Sequence, residues 1–443
     1  MKATLSNQIH LSELTDNEYF SIQQRLTFDN PKYLEAIQQG RSTYRLDRTL
    51  ALFNTHADGL ALPRGYGLDR LNLQPCDITD QRNTHPVQIS STIQPRSYQE
   101  RCIKLAIHQG GGVIVAPTGS GKTTMAIELA ARLGQRCLIL VKSKDLATQW
   151  INAIKHFTGL EAGLIGGGKW TEGQQFTVGL VQTLVKHPDS LDYGLVIVDE
   201  CHNIPALQAY AVINRQAAMY RYGLSATLQR RDNLEFMIHA ALGEVVAEVE
   251  ASEVIGAVLP VTVSTIHHDF IGNPESWNDF LNVLANDDER NRIIIAAAIK
   301  SSKTRGTVVL TASVRHAETL VNKAQQYGVD ALLLHGQLPK KVREAGMVEA
   351  PKRSLIIGTV SLLSEGIDWP HVGAIVFASP VSASVDRENP SATRLIQSIG
   401  RGRRPYPGRT RAHVFDVIDN HPLGKSAYRK REEIYRLQGF IVR

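Results

Sequence analysis

The stretch Val113-Ile-Val-Ala116-Pro-Thr-Gly-Ser-Gly-Lys122-Thr123-Thr124 decides the fold. An apolar strand runs into a loop of small residues, and an amphipathic helix is expected to follow over Met125–Leu133. Gly119 and Gly121 let the backbone curl so that successive N–H groups point at one phosphate, and a helix starting near Lys122 adds the positive end of its dipole. Pro117, Thr118, Gly119, Ser120 and Gly121 then form a cradle. Lys122 reaches the β- and γ-phosphates, Thr123 ligates the Mg2+ that bridges them, and Thr124 completes the nucleotide-binding set. Ala116 stands where the general pattern has Gly, but the variant Ala-x-x-Gly-x-Gly-Lys-Thr matches in full. A glycine-rich turn with a solvated lysine is the rival for the loop alone; the strand before it and the helix after it argue against that.

A hydrolase of this kind needs carboxylates on a neighbouring strand tip. Leu195-Val-Ile-Val198 is continuously apolar, as a parallel strand buried on both faces should be, and it ends in Asp199-Glu200-Cys201-His202. Asp199 would hold Mg2+, and Glu200 would orient and deprotonate the attacking water. Two acids at a strand end are otherwise a helix N-cap, a reading weakened by the phosphate loop earlier in the chain.

With 443 residues the chain exceeds one core, and 43% apolar with 21% charged residues is ordinary for a soluble globular protein. Cys76, Cys102, Cys137 and Cys201 show no metal-ligand spacing, which points to a reducing compartment without zinc. No segment suits a leader or a membrane span, so a cytosolic protein is expected, in the host cytoplasm if phage-encoded. The net charge of +6 favours a polyanionic partner. Its placement is uneven: residues 401–443 hold eleven Lys or Arg against four Asp or Glu, whereas residues 1–88 hold nine against ten.

Buried-type strands alternate with helices twice, which predicts an α/β protein with two tandem parallel-sheet units. Cys137–Val141, Thr177–Leu180 and Leu195–Val198 are the clearest strands of the first, with a helix from Lys144 to Phe157. The second has strands at Thr307–Leu310, Ala331–Leu334, Ser354–Ile357, Ala374–Phe377 and Ala412–Val417, and a helix over Val314–Tyr327. The expected domains are a small α+β accessory region at 1–88, a first unit at 89–255 and a second at 256–443 that ends in a basic helix. Residues 75–86, rich in Asp, Asn, Gln and Thr, read as a surface linker.

In a helix beginning near Ser391, Gln397, Arg401 and Arg404 fall at i, i+4 and i+7 and share one face. Arg401 and Arg404 suit arginine fingers supplied in cis; a basic nucleic-acid patch or a solvated face is the alternative.

The ordered motifs resemble those of superfamily-two DNA helicases, over about residues 90–420. Pro95-Arg96-Ser-Tyr98-Gln99 matches the adenine-reading segment, so Arg96 and Gln99 are implied in nucleotide binding. Val141–Trp150, with Lys142, matches the first DNA contact, and Val181-Gln-Thr183 a second. The Asp-Glu-Cys-His box, Gly223-Leu-Ser225-Ala-Thr227, Val360–Asp368 and the Gln397–Arg404 helix complete the series. The resemblance implies two RecA-like domains, ATP and Mg2+ as cofactors, coupling roles for His202, Ser225 and Thr227, communication across the cleft by His202 and Gln397, and nucleotide sensing by Gly366 and Asp368. Arg230-Arg231-Asp232 resembles an element of the double-stranded DNA translocases of repair and transcription, which have Glu where Arg231 stands. The tail helix over Ser426–Gln438 and the compact N-terminal region resemble phage branch-migration helicases of the UvsW kind. Thr183, Thr311, Ser313 and Thr359 sit at or beside strand ends where they could hold backbone phosphates; loop capping is the alternative for each.

The expected function is an ATP-driven, monomeric motor on duplex, forked or junction DNA, with no membrane partner. An RNA helicase, an ATP-gated nucleic-acid clamp and a restriction-nuclease motor are its rivals. Junction binding is expected of the N-terminal region, through its Pro63-Arg-Gly-Tyr66 loop.

Overall fold

The structure is a computed structural model that describes the chain apart from residues 69–76, 118, 188–190, 204–205, 227–233, 251–252, 255–258, 364–368, 381–394, 396–397, 401 and 404–405. The chain divides into two units, one of Met1–Pro117 with Gly121–Glu250 and the other of Ala251–Arg443 with Thr118–Ser120.

The first unit begins with an antiparallel hairpin of β1 (Lys2–Leu5) and β2 (Gln8–Ser12), in which Ile9 and Leu11 are buried and alternate with polar residues. Helix α1 (Asp16–Arg25) is started by a reciprocal capping box between Thr15 and Glu18. β3 (Thr27–Asp29), α2 (Pro31–Gln38) and β4 (Thr49–Ala51) lead to β5 (Asn54–His56) and β6 (Gly59–Pro63). β7 (Asp77–Asp80) pairs in parallel with β1 and completes a sheet ordered β5-β6-β2-β1-β7. That strand corrects the linker expected at 75–86. All four of its side chains are exposed at a sheet edge, so its composition is polar although its backbone is paired.

The larger sheet of this unit follows. α3 (Ser97–Gln109), β8 (Gly111–Val115), α4 (Lys122–Leu133), β9 (Cys137–Val141) and α5 (Lys144–Thr158) are followed by the hairpin of β10 (Gly163–Gly166) and β11 (Lys169–Thr171). β12 (Phe176–Leu180), α6 (Val181–Leu184), β13 (Leu195–Val198), α7 (Ala206–Ile213), β14 (Tyr220–Ser225), α8 (Glu235–Leu242) and β15 (Val245–Glu248) complete it. The strand order is β11-β10-β12-β9-β13-β14-β8-β15, parallel except for β11. Every residue of β9, β12 and β13 is buried, as helices on both faces require.

The N-terminal sheet shares a core with this fold. Ile9, Leu11, Ile22, Leu60 and Leu62 pack with Leu234, Met237 and Ala240 at α8. Arg64 donates to the carbonyls of Ser6 (2.9 Å) and Met219 (3.2 Å), and Arg221 donates to that of Asn7 (2.6 Å). Met219 and Arg221 lie at the amino end of β14, so the N-terminal region is fastened to the sheet edge opposite the phosphate loop. The Pro63–Tyr66 loop therefore does not offer Arg64 to nucleic acid as expected. Burial, with Arg221 and Arg82 nearby, pushes that guanidinium well below its usual pKa, and two of its N–H groups are spent on carbonyls inside the protein.

The second unit is a seven-stranded, all-parallel sheet. β16 (Val261–His268), α9 (Trp277–Asn286), α10 (Asp288–Ser302), β17 (Gly306–Thr311), α11 (Val314–Gln326), β18 (Leu332–Leu334), α12 (Lys340–Glu349), β19 (Leu355–Thr359) and α13 (Val360–Leu363) precede β20 (Val372–Phe377), β21 (Ala412–Asp419), α14 (Pro422–Leu437) and β22 (Ile441–Val442). The order is β18-β19-β17-β20-β21-β16-β22, with one apolar layer on each face. Helix α14 starts four residues before the expected Ser426, because His421 caps it and Pro422 occupies the first turn, where a missing N–H costs nothing. Arg431 on α14 is locked to Asp416 of β21 by bonds of 2.8 and 2.9 Å. Among the described residues no helix is long and apolar enough to cross a membrane.

Candidate active site

The phosphate loop leaves the buried strand β8 through Ala116, whose N–H donates to the Ser225 carbonyl at 2.8 Å. Gly119 and Gly121 take φ of 88° and 82°, the left-handed region expected of them. Gly121 is also the N-cap of α4, with no side-chain cap bond, so the first-turn N–H groups of the helix suit an anion. A Cβ at Gly121 would fall 2.5 Å from Gln99 Nε2, which places the Gln99 amide against this loop. The other end of that amide accepts the Arg96 N–H at 2.9 Å, and the Arg96 guanidinium donates to the Tyr98 hydroxyl at 3.1 Å. Ser120 is buried, while Pro117, Thr123 and Thr124 are half-buried and Gly119 is exposed.

Lys122 Nζ donates to the Ala116 carbonyl at 3.2 Å and lies 3.5 Å from Glu200 Oε1. Glu200 is one of two non-glycine residues with positive φ, at 45°, among those described. Glu200 Oε2 is buried without a hydrogen bond and lies 3.4 Å from His202 Nδ1. Asp199 is buried at the tip of β13, where Trp150 Nε1 donates to its Oδ2 at 2.7 Å. Burial and the adjacent Glu200 push the Asp199 carboxyl up to about 6, against the opposite pull of the Trp150 indole and the Lys122 ammonium. A divalent cation would relieve that crowding of negative charge. Among the described residues no three His, Cys, Asp or Glu side chains converge as a metal cage. One carboxylate, the Thr123 hydroxyl and substrate phosphates form an all-oxygen set that suits Mg2+.

His202 follows the acidic pair, and its Nδ1 lies 2.7 Å from Ser225 Oγ in the buried interior. Thr118, Gly366, Asp368, Thr227, Arg230, Gln397, Arg401 and Arg404 lie outside the described residues, as do Arg231 and Asp232.

The nucleic-acid expectations divide. Lys142 follows β9 and Thr183 lies in α6 after β12, both half-buried on the carboxyl edge of the first sheet. Ser313 is exposed, but its Oγ accepts the His316 N–H at 3.3 Å and caps α11. Thr311 is a correction: its side chain is fully buried and its single hydroxyl proton is shared between the carbonyls of Ser313 (2.9 Å) and Gly358 (3.3 Å), leaving no proton for a phosphate. Thr359 is likewise buried, with its Oγ1 accepting from Ser361 at 3.3 Å.

Sequence reasoning missed two features. The Trp150 bond to Asp199 spans 49 positions and leaves no local signal. Gly166, Gly167 and Gly168, all with positive φ, form the β10–β11 turn beside Lys144, whose Cε would sit 2.7 Å from a Cβ at Gly167. A run of three glycines was the available clue.

The family model described as "Type III restriction enzyme, res subunit" matches residues 92–230, and "Helicase conserved C-terminal domain" matches residues 289–405. The "Probable helicase D10" of Escherichia phage T5 is 25% identical over 378 residues, 82% of this chain and 80% of that protein. The "DNA 3'-5' translocase XPB2" of Sulfurisphaera tokodaii is 31% identical over 171 residues, 38% of each chain. The fold is also that of S. cerevisiae Dbp5 bound to RNA and ADP BeF3, with a TM-score of 0.57 at 18% identity, covering 79% of this chain and 90% of the other. With two parallel-sheet units matched in order, and helicase-named relatives across most of its length, the chain belongs to the superfamily-two helicases and is an ATP-dependent nucleic-acid helicase.

Proposed function

We propose that this helicase is a DNA translocase that remodels duplex, forked or four-way DNA, using ATP with Mg2+. The observation that carries the ATP-driven part is the convergence of Lys122, Asp199 and Glu200 at the carboxyl edge of one sheet, with Trp150 bonded to Asp199. The DNA translocase named among its relatives supports the choice of DNA, and the basic excess in residues 401–443 suits a polyanionic backbone.

In the catalytic step the α4 N-terminus and Lys122 hold the β- and γ-phosphates. Glu200 accepts a proton from water as the water oxygen attacks the γ-phosphorus and the bond to the β–γ bridging oxygen breaks. Asp199 and Thr123 would hold Mg2+, which would supply charge neutralisation at the phosphates. Trp150 fixes the Asp199 carboxylate, and Arg96 with Gln99 bounds the site on the adenine side. Arg401 and Arg404 act as arginine fingers in cis, Gln397 with His202 relays the state of the nucleotide, and Gly366 and Asp368 sense it. His202, Ser225 and Thr227 couple hydrolysis to movement of a DNA strand along Lys142, Thr183, Ser313 and Arg230.

The test is steady-state ATP hydrolysis without nucleic acid, then with single-stranded DNA, duplex, a four-way junction and RNA at one salt concentration. Strong stimulation by duplex or junction supports the proposal, and preference for RNA overturns its DNA part. Glu200→Gln should abolish turnover while ATP still binds; hydrolysis at the wild-type rate would remove Glu200 from its role.

A further inference from the structure

The second unit holds a cavity of about 360 Å3 that none of the helicase motifs accounts for. It lies at the amino ends of the adjacent parallel strands β17, β20 and β21, the edge opposite Thr311 and Thr359. Arg305 precedes β17, His371 precedes β20, and Arg411 and His413 flank Ala412 at the start of β21. Tyr406 and Arg409 come from the segment before β21.

The cluster is basic, and among the described residues no Asp or Glu lines the cavity. Arg409 belongs to its frame, donating to the carbonyls of Pro370 (3.2 Å), Val372 (2.7 Å) and His371 (2.5 Å). Gly373 makes that possible, since a Cβ there would lie 2.6 Å from Arg409 Nε. Arg305 and Arg411 differ from Arg409, for each bonds to a neutral hydroxyl, Thr304 Oγ1 at 3.2 Å and Thr262 Oγ1 at 3.3 Å. Burial and the like charges of Arg305 and Arg411 both hold His413 below its usual pKa. Gathering three guanidiniums and two imidazoles without a carboxylate costs energy that a bound oxyanion would offset.

Guanidinium forks match the tetrahedral oxygens of a phosphate. Tyr406, 44% exposed and stacked on Arg409 at 4.9 Å, adds a flat face on which a sugar or base can rest. We propose that this cavity binds a backbone phosphate of the nucleic-acid substrate, a contact on the far sheet edge from the motor track. The inference rests on the nucleic-acid helicase reading but not on the choice of DNA over RNA. A strand held here is a second segment of the same substrate, as a branched molecule provides.

The full chain, without nucleotide, is titrated with a fluorescent four-way junction by anisotropy from about 50 to about 300 mM KCl. Arg305→Ala/Arg411→Ala should weaken binding about tenfold and flatten the slope of log K against log salt by about 0.9, the worth of one phosphate contact on duplex DNA. Arg305→Lys/Arg411→Lys should keep most of the affinity. Thr304→Glu, on an exposed lining residue, should reproduce the loss without removing any arginine and decides the matter if the double alanine variant misfolds. Unchanged affinity and slope in both the Ala pair and Thr304→Glu would overturn the proposal. Loss of binding to a polyglutamate peptide, with junction binding intact, would overturn it in favour of an acidic protein segment. The helicase reading fails separately, if the wild-type chain shows no nucleic-acid-stimulated ATP hydrolysis.

Discussion

Ser225 Oγ and His202 Nδ1 lie 2.7 Å apart, and the carbonyl of the same serine accepts the Ala116 N–H at 2.8 Å. One residue thus joins the side chain that follows the acidic pair to the root of the phosphate loop. A change at the loop can reach His202 through a single peptide and a single hydroxyl.

Ser225→Ala removes the hydroxyl and leaves the strand pairing of β14 with β8 in place. The buried imidazole loses a partner, at a cost of about 1 to 2 kcal/mol in stability. ATP hydrolysis with DNA bound should fall by less than about tenfold, and strand separation by more than about a hundredfold. The two rates are measured on one forked substrate. A parallel fall in both would make the bond structural and not a coupling element.

Trp150→Phe keeps an aromatic ring beside β13 but removes the donor to Asp199. The indole favours the charged carboxylate, so its loss should raise the Asp199 pKa further above the present value of about 6. The acid limb of the pH profile of kcat/KM should move up by about one unit, because a hydrogen bond to a charged group contributes about 1.5 kcal/mol. Raising Mg2+ should move it back down, since a cation favours the ionised form. A limb that stays in place at low Mg2+ would separate Trp150 from catalysis.

The central strands were legible because burial on both faces demands continuous apolar runs. Cys137–Val141 and Leu195–Val198 have the bounds that their composition predicts. Strand β7 was not legible, since its backbone pairs while its four side chains face water. The phosphate loop and the acidic pair are local patterns and can be read directly. The fate of a hydroxyl cannot: Thr311 looks like any strand-end threonine until the carbonyls of Ser313 and Gly358 are found to take its proton. The Trp150–Asp199 and Arg64–Met219 bonds arise only when distant segments meet.

His316 gives the second unit a pH dependence of defined sign. Its Nε2 lies 2.9 Å from Asn291 Oδ1 and its Nδ1 3.2 Å from Ser379 Oγ, and burial with Arg290 nearby pushes its pKa down to about 3. Between that value and about 6.5 the unfolded chain takes up a proton that the folded chain refuses. Stability should therefore fall as pH drops below about 6.5, by up to about 1.4 kcal/mol per unit from this group. Urea unfolding of wild type and His316→Gln is compared at pH 7 and pH 5. The wild type should lose about 2 kcal/mol more than the variant over that step. Equal losses would assign the acid sensitivity to other groups.

Arg64 decides what the N-terminal region does. Its guanidinium donates to Ser6 and Met219, and the neighbouring Gly65 has no room for a side chain, a Cβ there falling 2.4 Å from the Gly243 nitrogen. A half-buried arginine that satisfies carbonyls of both the N-terminal region and the larger sheet is a clamp. Arg64→Ala should cost about 2 to 3 kcal/mol by leaving those acceptors unpaired, with junction affinity unchanged at a temperature where the variant is folded. Thermal unfolding and junction binding are measured on the same preparation. A variant with unaltered stability and weakened junction binding would return this loop to the nucleic-acid interface and remove the brace; lost stability with intact binding would make residues 1–88 a structural support for helix α8.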